Sequence, residues 1–213
     1  MEITEKLKEY AESYTTPESD VLKKLNRETN AKILRPRMLS GHLQGKLLEA
    51  FSKMLKPKRI LEIGTYTGYS AICLAQGLAD DGILYTIEKN EELELFTKSY
   101  FDEAKLTNKI KFLIGDAIEI IPTIDENFDL IYIDADKENY CNYFDMVMEK
   151  LNPGGYIIAD NVLWDGKVIE KPNPNDTETI GIINFNNKIK NDTCIEHLLL
   201  PFRDGLMIVR KCK

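Results

Sequence analysis

Apolar residues recur at intervals of three and four positions through the first part of the chain, which is the spacing of an amphipathic helix. Leu7, Tyr10, Ala11 and Tyr14 follow this pattern. Pro17 comes after a polar turn and suits the first turn of a second helix. We therefore expect residues 1–56 to form a helical segment, with helices from residue 3 to about 14, over 19–28 and over 40–54.

Beyond Pro57 the pattern changes to short apolar runs that alternate with amphipathic stretches. Continuous apolar runs such as residues 129–133 are typical of parallel strands that are covered on both faces. This alternation predicts a doubly wound α/β core over residues 57–213. The predicted strands are 59–63, 83–88, 110–114, 128–133 and 156–159, and the predicted helices are 69–78, 91–104, 116–121 and 140–151.

The end of the chain differs, because residues 194–200 and 206–210 are two β-rich runs separated only by a short turn, 201–205. Parallel strands need a crossover of a dozen or more residues, so this pair should form an antiparallel hairpin at one edge. The length of 213 residues suits one domain and is short for two.

Composition and charge exclude several classes of protein. Charged residues make up 30% of the chain, and no apolar run approaches the ~18 residues of a membrane span, so we expect a soluble protein without a membrane partner. The stretch MEITEKLKEY lacks the apolar region of a signal peptide, which predicts a cytoplasmic location. The formal charge of −7 disfavours a protein wrapped in nucleic acid.

Cysteine and histidine content limits the possible metal chemistry. The cysteines lack a C-x-x-C pair, so neither a disulfide framework nor a thiolate metal site is indicated. His42 and His197 are too few for a three-histidine zinc centre. Any metal must then be held mostly by oxygen, which favours hard cations such as Mg²⁺ or Ca²⁺.

The first predicted strand runs into the loop EIGTYTGYS, residues 62–70. A dinucleotide-binding loop requires G-x-G-x-x-G, but Tyr66 occupies the middle glycine position and would obstruct a pyrophosphate. Glu62 lies just behind, and its carboxylate repels phosphate but suits a cationic or amine-bearing ligand. S-adenosylmethionine has a sulfonium, an α-amino group and no phosphate, so the loop favours this cofactor over a nicotinamide dinucleotide.

Acidic residues also close the next two strands. Glu88 is placed to accept hydrogen bonds from ribose hydroxyls, and Asp116, followed by Ala117, is placed for the adenine side. Alternatively, these acids only cap helices, and Gly64 and Gly68 only turn the chain. Their shared position at the carboxyl ends of consecutive strands favours a ligand, because ligands in open α/β sheets bind at that edge.

The fourth and fifth predicted strands end in Asp134 and in Asp160–Asn161. Two carboxylates and an amide oxygen match the ligands of Mg²⁺, and acids crowded at one edge call for a cation. The alternative is a turn at Asp160 and a helix cap at Asp134.

Lys137 lies three residues after Asp134. A nearby cation and sulfonium should lower the pKa of Lys137 and make it a general base. The alternative is that Lys137 is a solvated surface lysine, as most lysines are.

Several segments together resemble the cation-dependent O-methyltransferases of the catechol and caffeoyl-coenzyme A type, bacterial members included. They are LEIGTYTGYSA, GDA, IYIDADKENY, GGYIIADNVLWDGKV and the closing DGL, with RPRMLSGHLQGKLL resembling the segment that covers the cofactor. The resemblance runs from about Tyr14 to the C-terminus. It implies a Rossmann-like class I S-adenosylmethionine-dependent methyltransferase fold with seven strands, mostly parallel, and it implies a homodimer.

The resemblance also implies site residues. It assigns Lys137 as the catalytic lysine. We expect Asp134 to act in catalysis as well, and Trp164, Lys137 and Asn161 to contact the substrate. A cation, Mg²⁺ or alternatively Mn²⁺ or Ca²⁺, would be held by Asp134, Asp160 and Asn161. The implied contacts of S-adenosylmethionine are Met38, Ser40, Glu62, Gly64, Tyr66, Ser70, Glu88, Asp116, Ala117 and Asp134.

One position departs from the animal catechol enzyme, whose glutamate for the second substrate hydroxyl corresponds here to Leu198. Neighbouring Glu196 is an alternative for that role, and a different acceptor is another explanation. Residues 162–176 are predicted to form a substrate lid, in which Trp164 either stacks on a planar acceptor or anchors the loop.

The leading hypothesis is methylation of a small catechol-like or other vicinal-diol acceptor. A rival is methylation of 5-hydroxyuridine in tRNA, which the resemblance to bacterial members implies. A non-catalytic cofactor-binding or scaffold protein is the third, although such a protein needs no base at Lys137. A phosphate-binding patch for tRNA would combine Arg35, Arg37, Lys53, Lys56, Lys58 and Arg59, which are otherwise ordinary surface residues.

Overall fold

Seven β-strands form one sheet in the computed structural model, which describes residues 5–212. The strands are β1 (Arg59–Ile63), β2 (Ile83–Glu88), β3 (Ile110–Ile114), β4 (Phe128–Ile133), β5 (Leu151–Asp160), β6 (Ile195–Leu200) and β7 (Leu206–Lys211). Their order is β3-β2-β1-β4-β5-β7-β6. β7 runs antiparallel to β5 and β6, and the other neighbours pair in parallel. The predicted mostly parallel sheet with an antiparallel C-terminal hairpin is therefore confirmed.

Helices precede the sheet and connect its strands. They are α1 (Glu5–Ser13), α2 (Asp20–Lys32), α3 (Gly41–Leu55), α4 (Tyr69–Ala75), α5 (Glu94–Glu103), α6 (Ala117–Ile120), α7 (Tyr140–Lys150) and α8 (Thr177–Asn191). Ser19 caps α2 by accepting a hydrogen bond from the backbone N–H of Leu22. The predicted start of the first helix at residue 3 lies outside the described residues.

Successive side chains of a strand point to opposite faces of the sheet, and both faces are covered by helices. Leu61 and Ile63 of β1 pack in one cluster with Phe144 of α7 and Phe185 of α8. Ile60 packs in a second cluster with side chains of α2, α3, α4 and α5. This three-layer arrangement explains why the parallel strands are almost continuously apolar.

The strand order places the candidate residues at one point of the sheet. β1 lies between β2 and β4, so the chain leaves β1 toward one edge and later returns to its other side at β4. Such a reversal opens a crevice at the carboxyl ends of the two central strands. These ends are followed by Gly64 and Asp134.

The two largest differences from the sequence-based expectation concern β5 and α8, while α2 ends later and α4 earlier than predicted. β5 begins at Leu151 rather than 156, because residues 153–155 stay in the sheet through a register irregularity opposite the beginning of β4. Helix α8 was not predicted at all. Asp176 caps it by accepting a hydrogen bond from Thr179 at 3.1 Å, and Ile182, Phe185 and Ile189 are fully buried.

The predicted lid, 162–176, contains turns of 3-10 helix over Trp164–Ile169. Trp164 and Asp165 have φ angles of 48° and 51°, which is the left-handed region that few non-glycine residues adopt. In residues 5–212, no helix has the length and apolar composition needed to cross a bilayer.

Candidate functional site

A cavity of about 940 Å³ lies at the carboxyl ends of the central strands. It brings together every site residue predicted from the sequence except Glu62. These are Met38, Ser40, Gly64, Tyr66, Ser70, Glu88, Asp116, Ala117, Asp134, Lys137, Asp160, Asn161 and Trp164. Residues that lie far apart in the sequence thus share one crevice, as the strand order requires.

A glycine allows the two central strand ends to meet. Gly64 follows β1 with a φ of 98°, and a Cβ at this position would collide with the backbone carbonyl oxygen of Asp134. The backbone N–H of Asp134 donates to the carbonyl oxygen of Ile63 at 2.9 Å. Gly64 therefore does more than turn the chain, since only glycine combines this conformation with this close approach.

Glu62 lies behind the cavity wall rather than in it. Its side chain is fully buried, and Thr86 donates a hydrogen bond to its Oε2 at 2.5 Å. Burial raises the pKa of Glu62 to about 8, although hydrogen bonds from Ser70 and Thr86 oppose this effect. Ser70, which does line the cavity, connects this carboxyl group to the cavity wall through a hydrogen bond.

The second strand ends in a carboxylate that backbone groups hold in place. Glu88 accepts hydrogen bonds from the N–H groups of Tyr66 at 2.6 Å and of Asn90 at 2.9 Å. Burial raises the pKa of Glu88, and these N–H donors counteract the rise. Tyr66 has a φ of 51°, so it adopts the left-handed conformation that a glycine would favour.

Asp116 is both a helix cap and a residue of the cavity wall, which are the two interpretations of its position. It caps α6 by accepting a hydrogen bond from Ile118 N–H at 2.9 Å, and it forms an ion pair of 2.7 Å with Lys89. It also lines the cavity beside Ala117. A helix cap and a ligand contact are therefore compatible here.

The candidate cation ligands lie on adjacent strand ends. Asp160 is 5% exposed, and burial together with the negative charge of Asp134 raises its pKa. Oδ1 of Asp160 accepts a hydrogen bond from the N–H of Asn161 at 2.8 Å. Asn161 has a φ of 60°, a conformation that asparagine tolerates. Two carboxylates thus repel each other at a shared cavity.

The donor set fits a hard cation. Within residues 5–212, no three side chains of His, Cys, Asp or Glu cluster closely enough to hold a metal. The candidate set has only two carboxylates and an amide, which suits Mg²⁺ because it retains several waters. Burial raises the pKa of Asp204 above its usual range. Hydrogen bonds from the N–H of Asp165 and from the Asn161 side chain oppose this rise only in part. An Asn161 amide that donates its NH₂ to Asp204 keeps its oxygen free.

Lys137 is not a solvated surface lysine. It is 6% exposed, and its Nζ donates to Tyr140 Oη at 2.7 Å and to Asp134 Oδ1 at 3.0 Å. Burial alone lowers the pKa of Lys137, but Tyr140 and Asp134 outweigh this effect and raise it. In the protein alone Asp134 supplies a counter-charge that stabilises the ammonium. The expected lowering applies to a site that holds a cation and a sulfonium, and it stays a prediction.

Trp164 joins the predicted lid to the core. Its ring packs against the cluster beneath the sheet and lies 5.8 Å from Lys137 Nζ and 5.9 Å from Lys167 Nζ. Its buried Nε1 has no hydrogen-bond partner among the described residues. The ring anchors the loop and also lines the cavity, so the two predicted roles do not exclude each other.

The residues considered for a second substrate hydroxyl lie elsewhere. Leu198 is 57% exposed on the edge strand β6. Glu196, on the same strand, forms an ion pair of 2.9 Å with Arg210. Neither residue lines the cavity. The departure at residue 198 therefore does not change the cavity wall directly.

The predicted basic patch is divided between two ends of the sheet. Arg35 and Arg37 line the cavity at the carboxyl end of β1. The other basic residues lie near the start of β1, whose residues Arg59 to Ile63 span about 13 Å at ~3.3 Å per residue. Lys53 pairs with Glu49 at 2.5 Å, Lys58 with Asp81 at 3.3 Å and Arg59 with Glu126 at 3.0 Å.

Several residues that contact the site were missed by the sequence analysis. Gln44 contacts Asp160, Tyr140 contacts Lys137, and Arg203 reaches the site from the β6–β7 turn. Gln44 lies four residues after Ser40, so a helical projection places them on one face. Nothing in the local sequence indicates the partners of Tyr140 and Arg203, because these depend on tertiary packing.

Comparison with known proteins agrees with the geometry. The model of a family described as O-methyltransferase matches residues 11–212. A catechol O-methyltransferase of Niastella koreensis is 36% identical over 161 residues, covering 74% of this chain and 72% of that protein. Caffeoyl-CoA O-methyltransferase 5 of Nicotiana tabacum is 30% identical, over 91% of this chain and 85% of its own length. The solved structure of the O-methyltransferase TomG from Streptomyces achromogenes, in complex with SAM, has a TM-score of 0.91 and 28% identity, covering 98% of this chain and 96% of that one.

Proposed function

This chain belongs to the O-methyltransferase family, as an S-adenosylmethionine-dependent enzyme of the catechol and caffeoyl-CoA type, and we propose that it uses a divalent cation to methylate a hydroxyl of a small vicinal-diol acceptor. The observation that carries this proposal is the buried Lys137, whose Nζ lies 3.0 Å from Asp134 at the cavity. Lys137 thus lines the cavity beside a candidate cation ligand, where an amine can reach a bound hydroxyl.

The proposed roles follow from the contacts. Asp134, Asp160 and Asn161 would hold the cation, and Lys137 would accept the proton of the acceptor hydroxyl. Tyr140 keeps Lys137 in place, since its hydroxyl contacts Nζ at 2.7 Å and donates to the backbone oxygen of Asp160 at 2.9 Å. When bound, the cation would neutralise Asp134 and lower the pKa of both the hydroxyl and Lys137.

The cofactor would occupy the part of the cavity between β1, β2 and β3. Glu88, already oriented by two backbone N–H groups, would accept hydrogen bonds from the ribose. Asp116 and Ala117 would border the adenine, and Ser40 and Ser70 the methionine part. S-adenosylmethionine would supply the methyl group, and Met38 at the cavity mouth would shield it from water.

A small acceptor suits the dimensions of the site. The volume of about 940 Å³ lies within the ~300–1,000 Å³ of typical small-molecule pockets. Trp164 and Asn161 would contact the acceptor beside Lys137.

The tRNA hypothesis needs a continuous phosphate-binding surface, and the separation of the basic residues does not favour it. The homodimer and the cytoplasmic location stay predictions, the first of which light scattering of the purified protein can test.

A labelled-methyl assay tests the proposal. We expect Lys137→Met to lower the rate of methyl transfer to a small catechol about 10²-fold or more, while S-adenosylmethionine affinity in calorimetry stays unchanged. Lys167→Met is the matched control, because Lys167 also lies over Trp164 but is paired with Asp176. A chelator should abolish the wild-type activity, and Mg²⁺ should restore it.

Three outcomes contradict the proposal. If Lys137→Met transfers methyl groups at the wild-type rate, Lys137 is not the base. If the wild-type protein methylates no diol in a broad panel but methylates an RNA fraction of a cell extract, the acceptor is a nucleic acid. Failure with both classes would favour a binding or scaffold protein.

A further inference from the structure

A buried glutamine reaches the candidate cation site from the N-terminal helical segment. Gln44 of α3 is 1% exposed, and its Nε2 donates to Asp160 Oδ2 at 2.5 Å and to Tyr132 Oη at 2.8 Å. Tyr132 in turn donates to the same Oδ2 at 3.2 Å. Asp160 Oδ2 therefore accepts two side-chain hydrogen bonds, and the one from Gln44 is the shorter.

The other end of the Gln44 amide is held from the C-terminal hairpin. Its Oε1 accepts a hydrogen bond from Arg203 Nη1 at 2.6 Å. The same Nη1 contacts the backbone oxygen of Ser40, at the start of α3. Arginine has only donors, so it faces the amide oxygen of Gln44 and directs the NH₂ group toward Asp160. The orientation of this amide is thus determined by its two neighbours.

These contacts constrain how Asp160 faces the cavity. Its Oδ1 accepts a hydrogen bond from the N–H of Asn161, and its Oδ2 accepts from Gln44. A carboxylate with donors on both oxygens cannot rotate without losing one of them. A buried charged group that loses such a partner is strongly destabilised.

We propose that Gln44 is a positioning residue that orients the Asp160 carboxylate for the divalent cation, and that Arg203 maintains this orientation by holding Gln44. This inference rests on the cation site of the proposed function. Residues that hydrogen-bond to metal ligands fix the ligand orientation, and their loss typically weakens metal binding about 10–100-fold. Gln44 acts only through Asp160, so its effect should appear in the affinity for the cation.

The test measures Mn²⁺ binding directly, by electron paramagnetic resonance of the free ion. We expect Gln44→Met, which keeps the length of the side chain but no polar group, to weaken Mn²⁺ binding about 10–100-fold. S-adenosylmethionine affinity in calorimetry should change less than about twofold. The Mg²⁺ concentration for half-maximal methyl transfer should rise by the same factor, and saturating Mg²⁺ should restore much of the rate, which it would not do for a merely misfolded variant.

Two further variants separate the contacts. Tyr132→Phe removes the longer bond to Asp160 and leaves Gln44 in place, so its effect on Mn²⁺ affinity should be smaller. Arg203→Met frees the amide oxygen of Gln44 and should weaken Mn²⁺ binding to an intermediate extent. In the double variant with Gln44→Met, the losses should not add, because Arg203 acts through Gln44.

The outcomes separate a failure of the cation site from a failure of the role of Gln44. If the wild-type protein does not bind Mn²⁺, the cation site itself fails, and the role of Gln44 fails with it. If the wild-type protein binds Mn²⁺ and folded Gln44→Met binds it equally well, the role of Gln44 is overturned while the cation site stands. If Gln44→Met does not fold, Arg203→Met replaces it in the test, because Arg203 is exposed at a turn and its substitution should not prevent folding. Unchanged Mn²⁺ affinity in Arg203→Met would then overturn the proposal.

Discussion

Glu62 shows how one carboxyl group makes stability depend on pH. The side chain is fully buried beneath the β1 loop, and burial raises its pKa from 4.5 to about 8. The folded protein therefore keeps this proton up to about pH 8, whereas the unfolded chain releases it near pH 4.5. Between these values the folded state binds more protons, so its stability falls as the pH rises.

We predict that Glu62→Gln removes part of this pH dependence. Denaturant unfolding of the protein in chelator should show the free energy of unfolding falling from pH 5 to pH 8 more steeply in the wild type than in the variant. The difference in slope is at most about 1.4 kcal/mol per pH unit. Glu119→Gln, at an exposed position, is the control and should follow the wild-type slope. Parallel curves for wild type and Glu62→Gln would contradict the prediction.

The residue scale also marks the limit of what the sequence reveals. Asp134, Asp160 and Lys137 follow or end apolar strands, so their common edge was predictable from the strand pattern. The rise of the Lys137 pKa in the protein alone was not, because it depends on the distances to Asp134 and Tyr140. Gln44 was missed for the same reason: its partners come from β4, β5 and the last turn, and no local pattern connects them.

At the scale of elements, helix α8 supports the turn that carries Lys137. Gly181 of α8 packs so closely on this turn that an added Cβ would lie 2.5 Å from the backbone oxygen of Lys137. Glycine is unfavourable inside helices, so its presence here has a packing reason. Helix α8 thus contributes to the position of Lys137 without contacting a ligand.

We predict that Gly181→Ala destabilises the protein and lowers methyl transfer. In an unconstrained helix this change stabilises by about 1 kcal/mol, but here the added methyl group forces the Lys137 turn outward and should cost about 1–3 kcal/mol. Asn187→Ala, at an exposed position of the same helix, is the control and should be neutral or slightly stabilising. Thermal unfolding and the labelled-methyl assay measure both effects. A stabilised, fully active Gly181→Ala would show that the turn moves freely.

The elements themselves were predictable to different degrees. The strands beside the cavity were found because their apolar runs are continuous and end in acids. Helix α8 was not found, because the Pro/Asn-rich stretch before it and several asparagines within it obscure its buried positions Ile182, Phe185 and Ile189. The early start of β5 was missed since Pro153 and two glycines are typical of turns, whereas here they form an irregular part of the strand.

At the scale of the whole molecule, charge distribution separates the two acceptor classes. The formal charge is −7, and the basic residues at the start of β1 are mostly paired with carboxylates. Arg35 and Arg37 lie apart from these residues, at the cavity, whereas a polyanionic partner needs basic groups that follow its phosphates. A small diol that enters the cavity does not need one.

We predict that methyl transfer to a small catechol is nearly independent of salt. Between 50 mM and 200 mM KCl, the KM for the diol should change less than about threefold. A protein with 6–10 phosphate contacts loses about 10³–10⁵ in affinity over that range. Steady-state kinetics at constant Mg²⁺ check this, with filter binding of tRNA as a parallel measurement. Tight tRNA binding with a steep loss at the higher salt concentration would contradict the small-molecule acceptor.

The position of β7 has a consequence for how the protein is made. β7 is the last strand in the sequence, yet it lies between β5 and β6, where Leu206 and Val209 are fully buried. A nascent chain on the ribosome that has emerged only as far as residue 205 therefore has an open edge along β5, and open edges pair with other chains. Arg203, which hydrogen-bonds to Gln44, lies three residues before the start of this strand. Synthesis must thus pass β7 before the sheet closes and the helix that carries Gln44 meets the β6–β7 turn.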